Sequence, residues 1–309
     1  MAVASRYLTT YQTLKDQRSW YETSQTLCAA HALLLVLGHR EDRVGDVLRA
    51  TEKLKEASQW FSSLRGVLGE SLAVFCLARG VDPALVPPRS EAVRARFKES
   101  ELPYVGPWAV LGSAVLGLEE DALIERALPR ISSIYHRWQK DHPWLTGGDD
   151  LVAAVLHALE SRSPGEVAQD VEDRYRALNG AGAARGNSLQ RAAQFGALGN
   201  SLPANVLAGR FGVFAEHLKR LGYRRAVQYV DATCLVAMVD GPIEKLAEEV
   251  FETLETISRV HPWVDQALRF NMATALVVSD RSRGSNMALQ SHLLLMVVSS
   301  LHSYVVVPT

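Results

Sequence analysis

Apolar residues along the chain come in short dense runs, each closed by a turn: "ALLLVLG", "AVFCLARG", "SAVLGLEE", "AVLHALES", "QFGALGN", "CLVAMVDG" and "ATALVVSD". One Leu, Met or Val near the end of each run falls at Leu37, Leu77, Leu116, Leu156, Leu198, Met238 and Val278, at successive spacings of 40, 39, 40, 42, 40 and 40. The turns that precede the runs keep the same beat, at Gly66, Gly106, Gly147, Gly186, Ala226 and Asp265. A fixed period of this length is the mark of a repeat architecture. It predicts one repeat domain over residues 1–309, with units ending near 66, 106, 147, 186, 226, 265 and 309.

Each unit reads as a short helix A, apolar nearly all round, followed by a longer amphipathic helix B. In "PIEKLAEEVFETLETISRV" the residues Ile243, Leu246, Val250, Leu254 and Ile257 recur at helical spacing on one face. Pro242 opens that helix where its missing N–H costs nothing, and Glu244, Glu248 and Glu249 favour the positive end of the dipole. Pro129 should kink or divide the B helix that contains it. Strand signals are almost absent, so the fold class is all-α. A two-helix unit cannot bury both faces alone, and seven must stack, as an α/α toroid or a superhelix with the A helices inside.

Composition narrows the function. With 33 Lys and Arg against 34 Asp and Glu there is no basic field to gather phosphates, which argues against nucleic acid as a partner. Cys28, Cys76 and Cys234 sit singly inside apolar runs, as buried free thiols of a reducing cytoplasm would. "MAVASRYLTTYQ" has no apolar signal core, and the C-terminal run, broken by Ser299, Ser300, His302 and Ser303, reads as a buried last helix with an extended tail, not a membrane span. GxSxG, Walker A and strand-linked GxGxxG motifs do not occur, so no nucleotide or other cofactor is implied.

Stacked hairpins put all A-to-B turns at one end and all B-to-A turns at the other. The first set, such as "ESRSPGE" and "VDGP", is ordinary turn punctuation. The second set, "SSLRGVLGES", "LPYVGPW", "HPWLTGGDD", "GAARGNSLQR", "GYRRAVQYVD" and "HPWVDQALRFN", concentrates His, Trp, Tyr and Arg ahead of polar residues that open helix A. Asp149, Asn187 and Asp265 each stand where an N-cap belongs, Asn187 and Gln190 resemble a capping box, and Trp144 and Trp263 would serve equally as core anchors. Three features resist that structural reading. Asp150 is a second acid beside a cap that needs one. Glu70, Gln190, Gln194, Asp231 and Asn271 enter otherwise apolar A helices. Arg65, Arg185, Arg191, Arg225 and Arg269 recur at matching places and would answer the acids. Such a rim suits an anionic or polyhydroxylated ligand. His142 and His261 are 119 residues apart and lack metal-ligand spacing, so no metal is expected.

"HPWLTGGDD" and "RGNSLQ", with "FAEHLKRLGYR" after them, resemble an uncharacterised family of bacterial proteins, domain of unknown function number four thousand and three. Members carry a His-Pro-aromatic-Leu-Thr stretch with an acidic pair, then Gly-Asn-x-Leu-Gln. His142, Pro143, Leu145, Thr146, Asp149, Asp150, Gly186, Asn187, Leu189 and Gln190 match that pattern. The resemblance implies membership and carries no activity with it.

The residues therefore point to a small-molecule-binding or enzymatic protein working at the B-to-A end. Asp149 and Asp150 are the candidate acid and base, because neighbouring carboxylates hold their pKa values apart. His142, Trp144, Arg185, Asn187, Gln190, Arg191, Glu70, Arg65, Asp231 and Arg269 are the candidate ligand-binding residues. Asp150 is expected to face Arg191 or Arg185 from the next unit, with Asp149 as the cap. The alternative is a non-enzymatic scaffold that binds a protein or peptide on a concave surface.

Overall fold

A computed structural model describes residues 2–17, 25–59, 62–200 and 202–281. Among these residues the chain forms fourteen α-helices and no strand. They are α1 (Ala2–Asp16), α2 (Gln25–Leu37), α3 (Val47–Ala57), α4 (Val67–Arg79), α5 (Val86–Glu99), α6 (Pro107–Gly117) and α7 (Asp121–Asp141). There follow α8 (Asp150–Ala158), α9 (Pro164–Gly180), α10 (Asn187–Gly196), α11 (Ala204–Arg220), α12 (Val230–Ala237), α13 (Ile243–Val260) and α14 (Gln266–Arg281). The even-numbered helices are the seven A segments, and the odd-numbered ones from α3 to α13 are B segments. Helix α1 precedes the first A and belongs to no unit of the repeat count. The B segment of the last unit, with the C-terminal apolar run, lies outside the described residues.

The A helices are buried on every side. Leu27–Leu37 of α2, Leu68–Ala78 of α4 and Ala109–Gly117 of α6 are enclosed without a break. The B helices keep a wet face: α7 buries Ala127, Leu128, Ile131, Ile134, Tyr135 and Trp138, and leaves Pro129 exposed. Helix α7 runs through Pro129 undivided. The carbonyl that Pro129 leaves without a donor belongs to Glu125, on the same exposed face, open to solvent.

The chain divides into two compact units, Met1–Arg89 with Glu252–Thr309, and Ser90–Phe251. In the first, α2 packs between α4 and α14, and α1 lies against α2 and α14. His261 joins these elements. It is fully buried, bonds the Tyr7 hydroxyl at 2.7 Å, and stands edge-on to the rings of Tyr7, Tyr11 and Trp263. Burial, with the nearby Lys15 charge, lowers its pKa to about 4.

In the second unit α6, α8, α10 and α12 form one layer in chain order, and α7, α9 and α11 form another. Each B helix packs on the A helix that follows it, α7 on α8, α9 on α10 and α11 on α12. The same device recurs two repeats apart. Arg130 on α7 donates to the carbonyls of Ala158, Glu160 and Arg162 past the end of α8. Arg210 on α11 donates to Ala237, Val239 and Gly241 past the end of α12. A guanidinium at a helix C-terminus satisfies orphaned carbonyls and favours the negative end of the dipole.

Cys28, Cys76 and Cys234 are free and buried, and burial pushes the thiols of Cys76 and Cys234 up to about 12. The thiolate is the reactive form, so all three should resist a thiol reagent in the native protein and react fully in denaturant. Fast labelling of two of them under native conditions would contradict this packing.

Candidate functional site

The turn from α7 to α8 builds the site. After α7, the amides of Leu145 and Thr146 both donate to the His142 carbonyl, at 3.1 and 3.0 Å, folding "HPWLT" into a tight loop. The His142 ring is tied outward, with Nε2 2.7 Å from Glu172 Oε2 and its ring against Tyr175. Gly147 and Gly148 then let the chain close on the helix start. A Cβ at Gly147 would lie 3.1 Å from Asp149 Oδ1, and one at Gly148 would touch the Trp108 ring. The Tyr135 hydroxyl donates to the Gly147 carbonyl at 3.3 Å and pins the turn to α7.

Asp150 opens α8 and is only 4% exposed. Its Oδ2 accepts the Gly147 amide at 2.7 Å, and its Oδ1 accepts the side-chain amides of Gln194 at 2.6 Å and Gln190 at 3.1 Å. Gln190 also donates to Thr146 Oγ1 at 3.1 Å. The two glutamines stand 40 and 44 residues after Asp150, at the equivalent place and one turn further along the neighbouring A helix. Burial raises the Asp150 carboxyl to about 6, helped by the charge of Asp149 and opposed by the bonds from Gly147, Gln194 and Gln190. The Gln190 carbonyl oxygen is buried and accepts no hydrogen bond, in a side chain 2% exposed.

Asp149 and Arg191 form the outer layer. Arg191 Nε donates to Asp231 Oδ2 at 3.0 Å, and its Nη1 lies 3.8 Å from Asp149 Oδ2. Asp231, which opens α12, also accepts its neighbour's backbone amide at Ala232. Donors and acceptors thus alternate across α8, α10 and α12.

The structure reverses the expected roles of the two aspartates. Asp149 occupies the cap position but has helical φ and ψ (−66°, −29°) and makes no cap bond; a cap residue must be extended to turn its side chain back. Asp150 takes the loop amide instead, and Arg191 reaches Asp149 and Asp231 rather than Asp150. The expected capping box at Asn187 does not form. Gly186 is the cap residue, at φ 145°, and the Gln190 amide is spent on Asp150 and Thr146. Arg185 is exposed, 3.4 Å from Asn179 Oδ1. Trp144 is no core anchor: its ring is 96% exposed.

The remaining candidates lie in the other unit. Glu70 stands 80 residues before Asp150, as the fourth residue of α4 rather than the first, and Lys55 answers it, at 3.0 Å. Arg65 reaches the Ser58 carbonyl, at 3.4 Å. Asp265 does cap its helix, accepting the Leu268 amide at 3.0 Å, while Arg269 and Asn271 follow on α14. The two HPW motifs therefore serve different ends, His142 facing an acid and His261 buried among tyrosines. A cleft of about 260 Å³ opens at an A-to-B turn of this unit, where Asp46 and Asp82 occupy its cations Arg43, Arg49 and Lys53. Among the described residues no group of three His, Cys, Asp or Glu side chains is placed to hold a metal, and no helix is long and apolar enough to cross a membrane. Sequence reasoning left Thr146, Gln194 and Tyr135 out of the site. The 40- and 44-residue spacings from Asp150 were the signal for the two glutamines.

The folded protein holds the Asp150 proton more tightly than the unfolded chain does. Stability is therefore greatest with Asp150 protonated, falls as pH rises from about 4 to about 6, and then levels. Asp150→Asn keeps the neutral form at every pH. Relative to the native protein, its stability should rise by about 2 kcal/mol between pH 4 and pH 7. Chemical denaturation at the two pH values checks this, and an unchanged difference would contradict it.

No curated protein and no solved structure matches the chain. One family does, described as a protein of unknown function, DUF4003, whose model matches residues 10–304. With nearly the whole chain matched, the motifs around Asp150 and Gln190 belong to a member of the DUF4003 family.

Proposed function

We propose that this protein binds a small polar molecule at the turn between α7 and α8, and that Asp150 exchanges a proton with it. The buried Gln190 carbonyl carries the reading. A buried acceptor with no donor costs about 1–3 kcal/mol, and this one, among several such atoms in the fold, is set apart by its place beside Asp150 and Thr146. A ligand hydroxyl or amine would supply the missing donor. Thr146, Asp149, Arg191 and Asp231, all only partly buried, frame the approach.

Asp150 suits proton exchange because Gln190 serves both of its states. The ionised carboxyl accepts the Gln190 amide nitrogen. When protonated, it can donate to the Gln190 oxygen once that side chain turns over. A carboxyl near 6 changes charge close to neutral pH, where a general acid or base works best. The competing scaffold reading draws on Trp144 and Val105, 96% and 71% exposed on B-to-A turns of the same unit.

A thermal-shift screen of polyols, amines and small carboxylic acids tests the proposal. At least one class should raise the melting temperature of the native protein by several degrees and leave Asp150→Asn unmoved, although that variant folds. Stabilisation of neither protein by any class would refute the site.

A further inference from the structure

We propose that the ligand of this site is a neutral polyhydroxylated ring, a sugar or short oligosaccharide, stacked on Trp144. The inference rests on the site reading above and adds the ligand's chemical class.

Trp144 is presented, not left over. Its indole is 96% exposed on a turn that is otherwise held firmly. Pro143 fixes the backbone before it, His142 is anchored to Glu172, and the amides of Leu145 and Thr146 close the loop beneath it. A large bare aromatic on an ordered turn is a platform waiting for a flat apolar face. Trp144 is two residues from Thr146, so its backbone lies within about 7 Å of the residue that bonds Gln190. The backbone that carries the platform thus lies within the span of one or two sugar rings of Thr146.

A sugar ring matches both parts. Its axial C–H bonds make an apolar face that packs on an indole, and its rim of hydroxyls both donates and accepts. The cluster offers the complement. The Gln190 carbonyl lacks a donor, Asp149 and Asp231 are acceptors, Arg191 is a donor, and Thr146 is both. Charge excludes the simpler alternatives. At this end of the unit Arg185, Arg191, Arg224 and Arg225 stand against Asp149, Asp150 and Asp231, a surplus of one positive charge with all three acids ionised and no strong field to draw a phosphate or a polyamine.

The 309-residue chain is titrated by calorimetry and tryptophan fluorescence with maltotetraose, cellotetraose and tetra-N-acetylchitotetraose, and with spermidine and inorganic phosphate as charged probes. One neutral tetrasaccharide should bind and perturb the fluorescence. Trp144→Ala should weaken it about tenfold with an unchanged melting temperature, and Asp149→Asn should weaken it too. Binding of spermidine or phosphate in a manner sensitive to Asp149→Asn, with no tetrasaccharide bound, would overturn the sugar assignment and leave the site standing. A dimer in sedimentation that Trp144→Ala dissolves, again with no tetrasaccharide bound, would assign the indole to a contact between copies and overturn it as well. Silence from all five probes would also reject the sugar, and the site itself falls only if the wider thermal-shift screen is silent too.

Discussion

The cross-helix contacts of the candidate site follow from one constraint: the A helices are largely enclosed. A polar side chain on such a helix must find its partner within the protein, and here it does so mainly on the next A helix, one repeat away. Asp150 meets Gln190 forty residues on and Gln194 one turn further, and Arg191 meets Asp231 forty residues on. An unpaired polar group in that layer would carry a full desolvation penalty. The repeat length therefore sets which residues touch, and the site is a seam between units rather than a property of one loop.

That seam explains the protonation behaviour of Asp150. A carboxyl at a helix N-terminus with three N–H donors would ordinarily be a strong acid. Burial and the charge of Asp149 override the donors and leave it at about 6. Glu70, 80 residues earlier on α4, has a lysine at 3.0 Å instead of two amides. Two acids 80 residues apart thus differ in their neighbours, a lysine beside one and two glutamine amides beside the other.

Much of this was legible in the sequence because period and burial are properties of the pattern. The seven A segments, the free buried cysteines and the polar entries at Gln190, Gln194 and Asp231 all follow from it. What the pattern left ambiguous was rotation. Neighbouring residues on a helix point about 100° apart, so whether Asp149 or Asp150 turns inward depends on where α8 begins. That start is set by the fold of "HPWLTGG", which spacing does not describe. The same shift of one residue places Gly186 rather than Asn187 at the cap of α10. His142 and His261 show the limit of motif reading: identical triplets, one beside Glu172 and one locked onto Tyr7.

The proposed role requires Asp150 to give up its proton near neutrality in the folded protein. The carboxyl ¹³C shift of Asp150, assigned by its loss in Asp150→Asn, measures that directly across pH 3 to 8. The geometry predicts a midpoint near 6. A midpoint at or below about 4, the value of an ordinary aspartate, would show that the amides of Gln190, Gln194 and Gly147 merely hold a carboxylate in place. The turn would then be a structural joint and nothing more.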